Sequence, residues 1–179
     1  VKTAAVMPFT SKAALLAEIP AEKLADMERF LMISFYDALI AQESVIKIIP
    51  LKESEEAYAK TNSENPVSYF RDAAAKAGRE LGVDAVFTGV ISVYTERQGS
   101  GVGVESPSTV AFSVELLDTK DGGILWETYF TETQRPLFDN LYDIDKFFKR
   151  GAKWITADEL AKEGARKAAD DFNKFLTTE

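Results

Sequence analysis

The chain has 179 residues, enough for one domain that buries roughly 70% of its unfolded surface, and 21 basic against 29 acidic side chains give a net charge of −8. An acidic chain without a basic run repels phosphate backbones and has no polybasic face for anionic lipid, which argues against nucleic acid and against a lipid surface as direct partners. With no histidine and no cysteine, one chain can build neither a Ser-His-Asp triad nor a Cys-His dyad, a thiolate or histidine metal site, or a disulfide.

Residues 3–9 (TAAVMPF) form a short apolar run ended by Pro8 and predict a buried strand. Residues 10–19 carry no clear period and read as a connector. From 20 to 42, Leu24, Met27, Leu31, Phe35 and Leu39 recur at helical spacing, and Phe30, Ile33 and Ile40 widen the stripe, so a long helix buried on much of its circumference is expected. Residues 45–51 (VIKIIPL) predict a second strand with Pro50 near its end. The polar stretch 52–65 reads as a short helix and a loop. Asn65-Pro66 then predicts a helix start, Asn as N-cap and Pro at the first helical position. Phe70, Ala73, Ala74, Ala77 and Leu81 make its inner face, thinned by alanines so that a sheet can approach, and Gly82 is placed as a left-handed C-cap.

The strand 85–94 carries Phe87, Ile91 and Val93 on one face and Val86 and Val90 on the other. Residues 110–117 alternate cleanly, with Val110, Phe112, Val114 and Leu116 inward against Ala111, Ser113 and Glu115. Residues 118–123 (DTKDGG) predict a hairpin loop, and the returning strand 124–133 puts Ile124, Trp126, Thr128 and Phe130 on one side. Residues 140–149 read as a short amphipathic helix. Thr156 and Glu159 spell a capping box, with Ile155 and Leu160 placed as a hydrophobic staple, before a last helix lined by Leu160, Ala161, Ala168, Phe172, Phe175 and Leu176. The expected fold is a single domain over 1–179 of mixed α/β (α+β) class. Its order is strand, helix, strand, helix, then a three-strand meander and C-terminal helices, with one sheet layer packed by helices.

The sequence GVDAVFTG at 82–89, the Gly101-Val102-Gly103 triplet, Asp118-Thr119 followed by GILW at 123–126, and the opening Val6-Met7-Pro8-Phe9 resemble the curli assembly and transport (CsgG-like) lipoproteins. They also resemble the group sharing the fold of the TolB amino-terminal domain. Residues 147–156 (FFKRGAKWIT) are similar to related lipoproteins of Gram-negative bacteria. The resemblance implies a periplasmic domain held to the outer membrane by an N-terminal lipid, acting in secretion or envelope assembly, with ring homo-oligomers among channel-forming members. It implies envelope or secretion-system proteins as partners and membrane association only through that lipid. The chain opens on Val1, which reads as a trimmed start with room upstream for a targeting segment and a lipid-bearing cysteine.

Channel-forming members add two strand hairpins per subunit to a barrel. A membrane hairpin needs two strands of roughly 9–11 residues each. Residues 95–109 are too few, and 131–155 hold Glu132, Arg135, Asp139, Asp143, Asp145, Lys146, Lys149 and Arg150 without apolar alternation. The expectation is a chain that keeps the scaffold and lacks the membrane-crossing parts.

Candidate sites are few. Gly99, Gly101 and Gly103 suggest a phosphate cradle, but a strand rather than a helix follows, so a strand connector or a partner loop is expected. Asp118 and Asp121 read as turn residues, because the position for a calcium-loop glutamate holds Tyr129. Asp139, Asp143 and Asp145 are weighed as helix-capping residues against a cation or carboxylate-pair site. Phe138, Tyr142, Phe147, Phe148 and Trp154 are dense in aromatics and fit core packing or a partner surface. No catalytic residue, metal ligand or cofactor is expected. The sequence reads as a non-enzymatic scaffold or accessory factor, with Gly99, Gly101, Gly103, Phe138, Tyr142, Phe147 and Trp154 as partner-binding candidates. The alternative is a periplasmic binding module for a peptide, glycan or small molecule.

Overall fold

The computed structural model describes residues 1–42, 45–64, 69–99, 104–134 and 155–178. Its elements are β1 (Thr3–Val6), β2 (Thr10–Ser11), α1 (Ala13–Glu18), α2 (Ala21–Ile40), β3 (Lys47–Ile48), α3 (Leu51–Glu64), α4 (Phe70–Leu81), β4 (Ala85–Thr95), β5 (Gln98–Gly99), β6 (Val104–Ser106), β7 (Thr109–Asp118), β8 (Ile124–Thr133) and α5 (Ala157–Thr178). The main sheet runs β3-β1-β4-β7-β8, and β2 also pairs with β4. β1 lies parallel to β3 and β4, whereas β4, β7 and β8 form the expected antiparallel meander.

Two helix layers cover the sheet. α2 and α5 close over one face, around a core holding Phe35, Phe87, Phe112, Trp126 and Phe172. The ring of Phe87 meets those of Phe35 and Phe172 with centroids 5.4 and 4.8 Å apart, both edge-on, the arrangement ring quadrupoles favour. α3 and α4 cover part of the other face, over Ala5, Met7, Val86 and Leu117. Here α4 presents Ala73, Ala74, Ala77 and Gly78. A Cβ on Gly78 would stand 2.5 Å from Val86 Cγ1 and 2.6 Å from Thr119 Cγ2, so the helix sits closer than any side chain permits.

Several expectations are corrected. The strand expected at 3–9 ends at Val6, ahead of Pro8, which has no N–H for the ladder; β2 follows beyond it, along the same edge of β4. The connector at 10–19 holds β2 and α1. β3 keeps only two residues: it is an edge strand, Val45 is 89% exposed, and α3 begins immediately after Pro50. α3 continues to Glu64 where a loop was expected. α4 starts at Phe70, with Tyr69 as an N-cap that makes no side-chain bond, and the Asn65-Pro66 start lies outside the described residues. Gly82 is the left-handed C-cap, at φ 69°.

Three side chains leave their expected faces. A bulge between Ile91 and Val93 makes Ser92 the extra residue, so Tyr94 rather than Val93 rejoins the face of Phe87 and Ile91. A second irregularity opposite Leu116 and Leu117 puts Ile124 out of phase with Trp126, and Ile124 is exposed. Ile40, at the end of α2, is exposed as well. Glu115 is placed outward by alternation, as expected, yet is buried: Arg71 of α4 donates to it through Nε at 2.7 Å and Nη2 at 2.5 Å.

No helix among the described residues is long and apolar enough to cross a membrane. Where a simple connector was the leading expectation for 95–109, β5 and β6 pair as a small antiparallel ribbon. The expected helix at 140–149 lies outside the described residues.

Candidate functional site

The C-terminal end of β4, the elbow between α1 and α2, and the first turn of α5 enclose a cleft of about 640 Å³. Its apolar floor is Leu15, Ile19, Met27, Phe30 and Tyr94. Its walls carry Glu18, Lys23 and Asp26 from the helical elbow, Glu96 and Arg97 from the strand end, and Asp158 from α5.

A polar knot holds the far wall in place. The bulge at Ser92, whose hydroxyl donates to Ala111 O at 3.3 Å, turns Tyr94 inward, and the Tyr94 hydroxyl donates to Asp158. Burial, and then the bond to Asp158 with the charges of Asp158 and Glu96, push the Tyr94 phenol well above its usual range. It therefore stays protonated at neutral pH and acts as a hydrogen-bond donor. Next to it, the Glu96 carboxylate accepts from the Arg97 N–H at 2.9 Å and from the Ala157 N–H at 3.1 Å. The second bond satisfies a free donor in the first turn of α5, whose positive end also favours the carboxylates of Glu96, Asp158 and Glu159.

The predicted capping box completes that turn. Thr156 N–H donates to Glu159 Oε2 at 2.9 Å, and Glu159 N–H donates to Thr156 Oγ1 at 3.1 Å. The staple residues Ile155 and Leu160 are both buried in the core. Just behind, Gln134 accepts the Ile155 N–H through Oε1 at 2.8 Å and donates its own N–H to Ser108 O at 3.1 Å. The Ser108 hydroxyl donates to Ile155 O at 3.0 Å. The chain thus leaves the sheet after Gln134 and returns at Ile155 within one bonded cluster. The ribbon of β5 and β6 rises from the same cluster, between Arg97 and Ser108.

Glu96 and Asp158 are engaged with donors, and Tyr94 holds its proton. Among the described residues no group of three acidic side chains is arranged to hold a metal ion. Asp118 and Asp121 serve their hairpin, accepting the N–H of Lys120 at 2.7 Å and of Gly123 at 2.8 Å. Arg97, which lines the cleft, has its Nη1 shielded from solvent and without an acceptor among the described residues.

Of the seven partner-binding candidates, only Gly99 is described. It lies in β5, two residues beyond the cleft-lining Arg97. Gly101, Gly103, Phe138, Tyr142, Phe147 and Trp154 lie outside the described residues, as do Asp139, Asp143 and Asp145. The residues that sequence reasoning missed are Tyr94, Glu96, Arg97 and Asp158, with Lys23 and Asp26 opposite. The available signal was local: two charged residues, Glu96 and Arg97, directly after an apolar strand that ends in Tyr94-Thr95.

No family model matches this sequence, and no curated protein matches it either. Among solved structures the fold is similar to PelC from Paraburkholderia phytofirmans, a dodecamer, with a TM-score of 0.53 at 15% identity over 93% of this chain and 84% of that one. It is similar to the hypothetical protein CT253 from Chlamydia trachomatis, with a TM-score of 0.54 at 11% identity over all of both chains. The lipoprotein GNA1162 from Neisseria meningitidis aligns with a TM-score of 0.49 at 16% identity over 85% of this chain and 99% of that one. At such identities the likeness is one of fold.

Proposed function

We propose that this domain is a non-enzymatic accessory factor of the bacterial cell envelope that works by binding protein partners at the cleft end of its sheet. The observation that carries the reading is the cleft: an apolar floor under charged walls, whose position is fixed by the knot of Tyr94, Glu96, Ser108, Gln134 and Asp158. A preorganised surface of this kind lowers the ordering cost of association. The motif resemblance to envelope lipoproteins supplies the setting: the periplasm, with a lipid on an upstream segment holding the protein to the outer membrane. PelC, which shares the fold, is a dodecamer, so self-assembly of this chain belongs to the same proposal and is read by light scattering.

The test is fractionation of cells carrying the full-length gene, combined with photo-crosslinking from position 95 at the cleft mouth. The expected result is a membrane-fraction protein that crosslinks to other envelope proteins. Recovery from the cytosol without a lipid overturns the setting. A second reading, a binding module for a peptide, glycan or small molecule, is favoured by a cleft volume that falls within the usual range of ligand sites. A thermal-shift screen separates the two, since one small ligand that raises Tm by several degrees supports the module.

A further inference from the structure

We propose that the cleft receives an extended, basic segment of the partner protein, in which lysine or arginine alternates with aliphatic residues. The inference rests on the protein-binding reading above and names the chemistry of the partner. The walls set four carboxylates, Glu18, Asp26, Glu96 and Asp158, against the two cations Lys23 and Arg97. The first turn of α5 offsets part of the charge of Glu96 and Asp158. Glu18 and Asp26 stand on the opposite wall and form no ion pair among the described residues, so their charge is available to a ligand. An anionic ligand would meet net repulsion here; a cationic one meets attraction, and electrostatic complementarity selects and steers such partners.

The floor asks for something further. Leu15, Ile19, Met27 and Phe30 offer an apolar surface at the foot of the carboxylate wall. An extended chain points successive side chains to opposite sides, so alternate aliphatic residues reach the floor while the basic ones between them reach Glu18 and Asp26. A volume of about 640 Å³ holds a few residues of such a segment.

The experiment uses the whole chain and fluorescein-labelled, end-capped pentapeptides of sequence KLKLK, ELELE and KSKSK, read by fluorescence anisotropy. KLKLK is expected to bind saturably, KSKSK several-fold more weakly, and ELELE not at all. Asp26→Asn should weaken KLKLK about threefold and Lys23→Glu should tighten it about threefold, the scale of an exposed charge pair. Both positions are exposed on α2, so folding is spared. Raising salt should weaken the binding further. The inference is overturned if KLKLK shows no saturation by about 1 mM, if ELELE binds as well, or if both substitutions leave the affinity unchanged. Crosslinking in envelopes distinguishes this failure from that of the broader reading. Partner capture that is indifferent to Asp26→Asn and Lys23→Glu sinks the basic-segment inference alone, whereas a cytosolic, partnerless protein sinks the function whatever the pentapeptides do.

Discussion

The two ends of the sheet use similar side chains to opposite effect. At the hairpin end, Asp84 accepts the N–H groups of Lys2 and Thr3 at 2.8 and 3.1 Å. Buried Thr119 donates through Oγ1 to Val83 O at 2.8 Å, and Arg79 closes on Thr119 O at 2.5 Å. The bonds there pull chain segments together. At the cleft end, Glu96 and Tyr94 also bind backbone and side chain, but the result is a braced wall facing an open volume. Bonds that join segments stabilise the fold, whereas a braced wall beside an open volume leaves room for something else to bind.

If that contrast is right, substitutions at the hairpin end cost stability, and those at the cleft end cost little stability but alter binding. The largest effect is expected at Gly78. A valine there must displace Val86 and Thr119, and overpacking of this kind costs about 3 kcal/mol, read as a lowered urea midpoint. Thr119→Val leaves the carbonyl groups of Val83 and Asp84 without its hydroxyl, at about 1–2 kcal/mol by the same measurement. Glu96→Ala removes a cap from the first turn of α5, at about 1 kcal/mol. A larger loss for Glu96→Ala than for Thr119→Val would erase the distinction between the ends.

Two pH limbs sharpen it. The bonds from the Lys2 and Thr3 amides hold the Asp84 carboxyl below its ordinary 3.8. A depressed folded value contributes stability above the unfolded value, and that contribution is lost as pH falls through the folded one. The acid limb of the stability curve should therefore flatten in Asp84→Asn. At the cleft end the sign reverses. The Tyr94 phenol is raised above its ordinary 10.0 by burial and by Asp158, so its contribution is complete below pH 10 and fades above it as the unfolded chain ionises. Tyr94→Phe should shallow the alkaline limb while costing under about 1 kcal/mol at neutral pH. Tyr58, raised by burial, contributes to the same limb.

Features set by neighbours within one turn or one strand period were legible before any coordinates. The stripe of Leu24, Met27, Leu31, Phe35 and Leu39 is the buried face of α2. The alternation of Val110, Phe112, Val114 and Leu116 is the inward face of β7. The box of Thr156 and Glu159 closes as written. Period counting failed at Val93 and Ile124 because one inserted residue reverses every later side chain, and nothing in a run of β-formers announces a bulge. The cleft was less legible still. Tyr94 meets Asp158 across 64 positions and Glu96 meets Ala157 across 61, and no local pattern encodes such pairings. The glycines at 99, 101 and 103 follow, in sequence, the strand end that lines the cleft.

From residue order alone came the class of fold, the helix faces, the left-handed cap at Gly82 and the absence of histidine and cysteine chemistry, because each depends on side-chain type and short-range spacing. Tertiary structure decided which helices cover which face, why Gly78 must lack a side chain, and that Tyr94, Glu96, Arg97 and Asp158 share one wall opposite Lys23 and Asp26. Those outcomes depend on long-range pairing and on a single bulge, whose energies balance only when the whole chain is packed.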